Sequence, residues 1–181
     1  LSRHLAKKGI KTSVILPLYK KIKDNYEDVY EKKRSKVIKF GDTTHKIRLF
    51  HMIYKQVNYY FIESFRFFER DSIYGYDDDC ERFAFFNHAV VEVLEDIENV
   101  DLVHMHDWHV GLIPTILHNR DLDHKPKTLL TLHNIDYQGV CQNTCMNQLN
   151  LSSPYNPEGY TNFLETAILT ADKLTTVSPT Y

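Results

Sequence analysis

Two groups of polar residues each follow a short apolar run of the kind that forms a buried β-strand. Residues 104–109 read His-Met-His-Asp-Trp-His, and residues 133–139 read His-Asn-Ile-Asp-Tyr-Gln-Gly. In parallel sheets covered by helices, ligands bind beyond the carboxyl ends of the strands. A strand that only packed against a core would not need so many hydrogen-bonding side chains at its end. We therefore expect these two strand-end clusters to line a binding site.

Sugar recognition is one chemistry that suits this mixture of side chains. Carboxylates and amides exchange hydrogen bonds with hydroxyl groups, and aromatic rings cover the apolar faces of a sugar ring. Groups of the first kind are Asp107, Asn134, Asp136, Tyr137 and Gln138, and groups of the second kind are Trp108 and Tyr137. Many other polar ligands would suit the same set of residues.

A metal site is the alternative chemistry for the first cluster. Histidines two residues apart at a strand end, such as His104 and His106, can bind zinc from one face of the strand. Metallo-β-lactamase-like hydrolases use the pattern His-x-His-x-Asp-His, which would include His109 here. In this chain the aspartate is Asp107, and Trp108 occupies the place of the pattern's aspartate. This departure disfavours the metal, and His104 is expected to be a hydrogen-bonded residue beside the strand end.

The distribution of apolar residues predicts the elements that must position these clusters. From residue 79 onward, helices and strands alternate, which argues for a parallel sheet with helices on both faces. The predicted helices cover residues 79–98, 110–119 and 160–171, and the predicted strands cover residues 101–106, 128–132 and 173–177. Upstream, we expect a helix over residues 1–8, a buried strand over residues 12–18 and an antiparallel meander over residues 37–62.

Composition and charge narrow the class of protein. The 181 residues carry a formal net charge of −2, and 43% of them are hydrophobic, as in ordinary globular domains. The charge indicates no general attraction to nucleic acid or to a membrane surface, and no apolar stretch reaches the length of a membrane span. The three cysteines, Cys80, Cys141 and Cys145, suggest no paired framework. We therefore expect reduced thiols and a cytoplasmic location.

Five stretches in a preserved order, the last of them in two parts, resemble the bacterial glycogen synthase and plant starch synthase family. Residues 106–112 (HDWHVGL) are similar to the family's HDWHAGL, and residues 131–139 (TLHNIDYQG) are similar to its TVHNLAYQG-type string. Residues 68–79 resemble the family's acidic loop, and residues 81–86 resemble the helix after it. Residues 162–164 and 171–181 resemble its later segment. The resemblance covers nearly the whole chain.

The resemblance implies the α/β fold of a GT-B glycosyltransferase, in which two Rossmann-like domains face each other across a cleft. Such enzymes transfer glucose from ADP-glucose to the non-reducing end of an α-1,4-glucan. They retain the anomeric configuration and need no metal or cofactor. The implied partners are the nucleotide sugar, the glucan (glycogen) and the C-terminal domain of the same chain. Residues 1–181 are then a single partial N-terminal domain that lacks its first strand and the entire C-terminal domain.

The resemblance also implies roles for individual residues. Asp107 resembles the residue that holds the transferred glucose, and His133 resembles the catalytic-centre histidine beside the sugar. Asn162 resembles a cleft residue near the acceptor or the sugar. The further candidates for substrate binding are Asn134, Tyr137, Gln138 and Trp108. For His133, the alternative is a structural histidine that caps the strand end.

The chain departs from the family pattern in two respects. The family's Lys-Thr-Gly-Gly-Leu loop and its C-terminal domain supply donor contacts, and neither occurs within these 181 residues. We therefore expect the chain alone to be inactive. After Asn162, Phe163 and Leu164 the family has a lysine followed by small residues, whereas this chain has Glu165-Thr166-Ala167. Two other functions stay open: a non-catalytic α-glucan-binding module, and a zinc hydrolase that uses His104, His106 and His109.

Overall fold

The computed structural model describes residues 1–26, 29–97, 99–151 and 159–178. The chain divides into two compact units, of which the first comprises residues 1–39 and 43–75 and the second comprises residues 40–42 and 76–181. Both units combine helices with strands, so the predicted α/β class is confirmed. Among the described residues, no helix has the length and apolar character that crossing a membrane requires.

The first unit is built on a four-stranded sheet with the strand order β1-β4-β3-β2. Its strands are β1 (Ser13–Pro17), β2 (Glu31–Phe40), β3 (Thr43–Tyr54) and β4 (Val57–Glu63), and its helices are α1 (Ser2–Lys7), α2 (Lys20–Tyr26) and α3 (Phe65–Phe68). Strand β1 runs parallel to β4, whereas β3 runs antiparallel to β4. The predicted meander is therefore confirmed, and its first strand begins at Glu31 instead of residue 37.

The second unit contains a parallel sheet with the strand order β5-β6-β9 and a small antiparallel pair, β7-β8. Its strands are β5 (Leu102–His106), β6 (Lys127–Leu132), β7 (Val140–Gln142), β8 (Tyr160–Asn162) and β9 (Lys173–Thr176). Its helices are α4 (Asp79–Leu94), α5 (Ile113–His118), α6 (Thr144–Gln148) and α7 (Phe163–Thr170). The alternation of helix and parallel strand that the sequence predicted is confirmed.

Helix α4 lies at the centre of the second unit's core. Its apolar residues recur at helical spacing and are buried, and Asp79 and Glu81 in its first turn suit the positive end of the helix dipole. The helix was predicted over residues 79–98 and ends at Leu94, while residue 98 lies outside the described residues. Two polar side chains on this helix, Arg82 and Asn87, are also fully buried.

The expectation of reduced thiols is wrong for two of the three cysteines. Cys80, at the start of α4, forms a disulfide with Cys141 of β7, and their Cα atoms lie 5.7 Å apart. The two residues are 61 positions apart in sequence, and only the packing of α4 against β7 brings them together. Cys145 is the free thiol of the three, and burial raises its pKa to about 11.

Candidate active site

The carboxyl ends of β5 and β6 bring the two strand-end clusters together. His106 ends β5 and pairs in register with Thr131 of β6, two residues before His133. The Nδ1 atom of His106 lies 2.9 Å from the Nε2 atom of His133. One of these ring nitrogens must donate and the other accept, so each ring fixes the tautomer of its neighbour. The clusters therefore form one edge, as the sequence predicted.

Asp107 connects the two strand ends through one carboxylate oxygen. Its Oδ1 accepts from the N–H of His133 at 2.7 Å and from the N–H of Asn134 at 3.3 Å. Its own N–H donates to the carbonyl oxygen of Thr131 at 3.1 Å. Among the described residues, the second oxygen, Oδ2, has no hydrogen-bond partner. The carboxylate is thus held by one oxygen and can offer the other to a ligand.

The backbone of Asp107 adopts a conformation that non-glycine residues seldom occupy, with φ 59° and ψ −170°. Such a conformation costs on the order of 1–3 kcal/mol and persists only where the surroundings enforce it. Here the ladder of β5 and the two bonds to Oδ1 enforce it. Strained residues of this kind cluster at ligand-binding sites, which makes Asp107 the strongest candidate on this edge.

Two of the histidines at this edge, His104 and His106, are mainly neutral at pH 7. Burial, followed by the nearby His133, lowers the pKa of His104 below its ordinary value of 6.5. Burial, His104 and His133 likewise lower the pKa of His106. His104 Nε2 lies 2.6 Å from the hydroxyl oxygen of Thr131, which fits the expected role of a hydrogen-bonded residue beside the strand end. These rings can therefore act as hydrogen-bonding groups without adding positive charge.

His109 lies in a different environment from the other histidines of the first cluster. Its ring stacks on Trp108 at 4.2 Å between centroids and meets the ring of Phe83 edge-on at 4.7 Å. Burial lowers its pKa as well. The zinc-hydrolase alternative needs His109 beside His104 and His106, and in the described parts of the chain no three metal-ligating side chains converge. That alternative therefore has no support from the geometry of these residues.

Trp108 packs against protein groups and lies in a short 3₁₀ turn over residues 108–110. The indole meets Phe83 at 5.1 Å between centroids, and a Cβ atom at Gly139 would come within 2.2 Å of it. Gly139 also has a φ of +65°, a region that favours glycine. A Cβ atom at Gly111 would come within 2.3 Å of the carbonyl oxygen of Phe163. Both glycines are thus needed for close packing, and the indole of Trp108 is packed between Phe83 and Gly139.

Asn162 connects helix α7 to the second strand-end cluster. Its Oδ1 accepts from the N–H of Glu165 at 3.0 Å and so caps the helix, which explains why α7 begins at Phe163 and not at residue 160. Its Nδ2 donates to Oε1 of Gln138 at 2.5 Å. The charge reversal at Glu165 has a physical reason, because a carboxylate in the first helical turn suits the helix dipole.

Residues 134–137 form the outer face of the second cluster. Oδ1 of Asn134 accepts from the N–H of Asp136 at 3.0 Å and so shapes the turn. Tyr137 is 69% exposed and Ile135 is 47% exposed. Of the predicted aromatic contacts, Tyr137 therefore has an open ring face, whereas Trp108 is half-buried among protein groups.

Arg82 and Asn87 were missed by the sequence analysis. Arg82 forms an ion pair with Asp79, and its guanidinium lies 5.0 Å from the ring centroid of Tyr76. Asn87 bonds to the main chain around His109. The signal that could have found both residues is a polar side chain within an otherwise apolar stretch of a buried helix.

The family model for the starch synthase catalytic domain matches residues 1–181, so the chain belongs to this family. Among curated relatives, the glycogen synthase of Halalkalibacterium halodurans is 37% identical over 100% of this chain and 39% of its own length. The glycogen synthase of Bacillus subtilis is 35% identical over 100% of this chain and 40% of its own length. The resemblance that the sequence motifs indicated is thereby confirmed.

A solved structure gives the same result for the fold. The catalytic domain of starch synthase IV from Arabidopsis thaliana, bound to ADP and acarbose, superimposes with a TM-score of 0.88 and 26% identity. The match covers 99% of this chain and 40% of that chain. The GT-B assignment is therefore confirmed, and this chain spans about two fifths of the length of its relatives.

Proposed function

We propose that this chain is part of a retaining glucosyltransferase that moves glucose from ADP-glucose to the non-reducing end of an α-1,4-glucan. The observation that carries the proposal is the joined edge of β5 and β6, where Asp107 and His133 are locked together with one carboxylate oxygen left open. The family membership and the glycogen synthases among its relatives support this assignment.

In this proposal, Asp107 holds the transferred glucose. Its Oδ2 accepts a hydrogen bond from a sugar hydroxyl, while Oδ1 keeps its bond to the N–H of His133. As positive charge develops on the sugar ring in the transition state, a fixed carboxylate nearby stabilises that charge. No reorganisation is needed at that moment, because the strained backbone and the main-chain bonds already fix the carboxylate.

His133 is the second catalytic residue in this proposal. Its Nε2 is engaged by His106, so its remaining ring nitrogen and its carbonyl group are the atoms available to the sugar. The tautomer of His106 decides whether that ring nitrogen donates or accepts. A neutral His106 leaves the edge without competing positive charge, since burial lowers its pKa.

The remaining candidates support the site in different ways. Tyr137 offers its exposed ring to a glucose unit, whereas Asn134, Gln138 and Asn162 shape the loop that carries it. Trp108 supports the site through packing, because its ring lies in close contact with Gly139. The proposal includes neither a metal nor a cofactor, and no nucleic acid or membrane partner.

We also propose that residues 1–181 form one partial domain and are inactive without a C-terminal domain. A cytoplasmic location stays part of the proposal on the family membership alone, because the Cys80–Cys141 disulfide removes the argument from reduced thiols. In the proposed cleft, that domain would supply the contacts to the donor phosphates. Purified residues 1–181 that transferred glucose as fast as the full-length protein would contradict this part of the proposal.

The experiment that tests the function measures transfer of labelled glucose from ADP-glucose to glycogen by the full-length protein. The Asp107→Asn variant is expected to lose at least about a hundredfold, or about 3 kcal/mol of transition-state stabilisation. The matched control is Asp101→Asn, because Asp101 is exposed and precedes β5 at the opposite end of the strand. The control should stay within about twofold of the wild type.

Two outcomes would count against the proposal. Equal losses in both variants would show that Asp107 has no special role. A wild-type protein that binds glycogen but transfers no glucose would favour the non-catalytic glucan-binding module.

A further inference from the structure

Asn87 is a polar side chain within the apolar core around α4, and its relative exposure is 0%. Its Nδ2 donates to the carbonyl oxygen of Phe83 at 2.6 Å and to that of His109 at 2.7 Å. Its Oδ1 accepts from the N–H of Leu112 at 2.9 Å. Both amide hydrogens and one oxygen lone pair are therefore used, and all three partners are main-chain groups.

Two of these three bonds reach from α4 to residues 108–112, the turn segment that connects Asp107 to α5. The amide holds this segment at the carbonyl of His109 and at the N–H of Leu112. An aliphatic side chain of similar size would fill the space but leave both groups without these partners. Unpaired buried main-chain groups are unfavourable, so the segment would have to move to find new partners.

Movement of the turn segment would reach the proposed site through Asp107 and Trp108. The indole of Trp108 packs against Phe83 at 5.1 Å and lies against Gly139, where there is no room for a Cβ atom. Asp107 directly precedes it, and its Oδ1 holds the N–H of His133. Displacing the segment would therefore change the direction in which the Asp107 carboxylate points.

We propose that Asn87 is a positioning residue, which holds the turn segment so that Asp107 presents its open oxygen to the donor sugar. This inference rests on the proposed function and assigns a residue that touches no substrate. The position requires an amide, because two hydrogens must be donated and one accepted by a neutral group in the core. Neither a carboxylate nor an aliphatic side chain meets all three demands.

The test compares Asn87→Leu and Asn87→Asp in the full-length protein, with Asn119→Leu as the matched control. Asn119 also donates its amide to a main-chain carbonyl, that of Thr115 at 2.9 Å, but it is exposed and lies at the end of α5. Trp108 is the only tryptophan in these 181 residues. The fluorescence difference between each protein and its Trp108→Phe counterpart therefore reports on the turn segment without any need for activity.

We expect Asn87→Leu to lower kcat about thirtyfold while the KM for ADP-glucose changes less than about threefold. Acrylamide quenching of Trp108 should change at least about twofold, since the indole loses its fixed surroundings. The Asn119→Leu control should match the wild type in kcat, in the KM for ADP-glucose and in acrylamide quenching. A loss of thermal stability without a change at Trp108 would show a structural role only and would overturn the proposal.

The Asn87→Asp variant tests the same proposal if Asn87→Leu does not fold. A buried carboxyl that faces two carbonyl oxygens has a raised pKa, and its protonated form can donate one hydrogen. The ratio of variant to wild-type kcat should therefore rise as the pH falls from about 8 to about 6, and a constant ratio would refute the proposal. If the wild type transfers no glucose but Trp108 still responds to Asn87, the positioning of the segment stands and the proposed function fails.

Discussion

Two aspartates of the second unit each connect neighbouring parallel strands, at opposite ends of the sheet. At the amino end of β6, Asp172 accepts from the N–H and the hydroxyl of Thr128 and from Nζ of Lys127, at 2.8 to 3.0 Å. Both of its oxygens are therefore engaged, and these bonds hold its pKa well below the ordinary range. At the carboxyl end, Asp107 uses one oxygen, and its other oxygen has no hydrogen-bond partner in the parts of the chain that the structure describes.

The difference separates a structural carboxylate from one that is ready for a ligand. Asp172 is satisfied by partners that are adjacent in the sheet, so nothing further is gained by a ligand there. Within the described parts of the chain, Asp107 accepts only from main-chain donors, and it has a strained backbone. It directly follows His106, a histidine whose pKa is lowered by burial. The two ends of the sheet carry the same type of residue. They differ in whether both oxygens of the aspartate already have hydrogen-bond partners.

The largest expected effect comes from Asp107→Gly. Glycine accepts the φ of 59° without strain, which offsets part of the lost side-chain bonds. The free energy of unfolding in urea should change by less than about 1 kcal/mol, while glucose transfer falls at least about a hundredfold. Parallel losses of stability and activity would mean that Asp107, like Asp172, is only structural.

The second prediction concerns the disulfide that ties the segment after β6 to the start of α4. Reducing the Cys80–Cys141 disulfide, which closes a 61-residue separation, should lower the free energy of unfolding by about 2–4 kcal/mol. Urea unfolding with and without a thiol reductant measures this change. A Cys80→Ser, Cys141→Ser double variant is the control, because the reductant should not destabilise it further. Identical unfolding curves of the wild type in both buffers would contradict the pairing.

The third prediction tests how tightly the site end is packed. Gly139→Ala should destabilise the protein by about 1–3 kcal/mol, because its Cβ atom would overlap the indole of Trp108. Gly159→Ala is the matched control, since Gly159 also has a positive φ, but beyond its two chain neighbours no atom of the described residues lies within 4 Å of the position of its Cβ atom. Thermal unfolding of both variants separates strain from overlap. Equal destabilisation of the two variants would show that contact with Trp108 is not what excludes a side chain at residue 139.

The smallest expected effect comes from Asp172→Asn, which should cost about 1–2 kcal/mol of stability at pH 7 and leave activity within about twofold. A depressed pKa contributes stability above the ordinary value of 3.8, and this contribution is lost as the pH falls below it. The gap in urea midpoint between wild type and variant should therefore shrink between pH values of about 6 and about 3. A gap that widens on acidification would contradict the assignment of these bonds.

The fold and the two strand-end clusters followed from local patterns in the sequence. Helices and strands alternate with clear apolar periodicity, and polar residues at consecutive strand ends must meet when the strands are parallel. The structure confirms this arrangement, with His106 and His133 in contact. The roles proposed for Asp107 and His133 remain predictions until the variants are measured.

What the sequence could not reveal depends on contacts between distant residues. The Cys80–Cys141 pair spans 61 positions, and an odd cysteine count gave no hint of it. The hydrogen bonds of Asn87 cross 22 and 25 positions to reach the turn segment. Strand β8 was not predicted, because the apolar residues from 160 onward indicated a helix over residues 160–171. The cap at Asn162 makes that helix begin later, after β8.

The most direct test of the central claim is a double-mutant cycle on Asp107 and His133 in the full-length protein. Glucose transfer from ADP-glucose to glycogen is measured for Asp107→Ala, for His133→Ala and for the double variant. If the two residues act as one unit, the double variant should be no slower than the slower single variant, within about threefold. Multiplicative losses would show that the residues act independently, and would contradict a site built by joining the ends of β5 and β6.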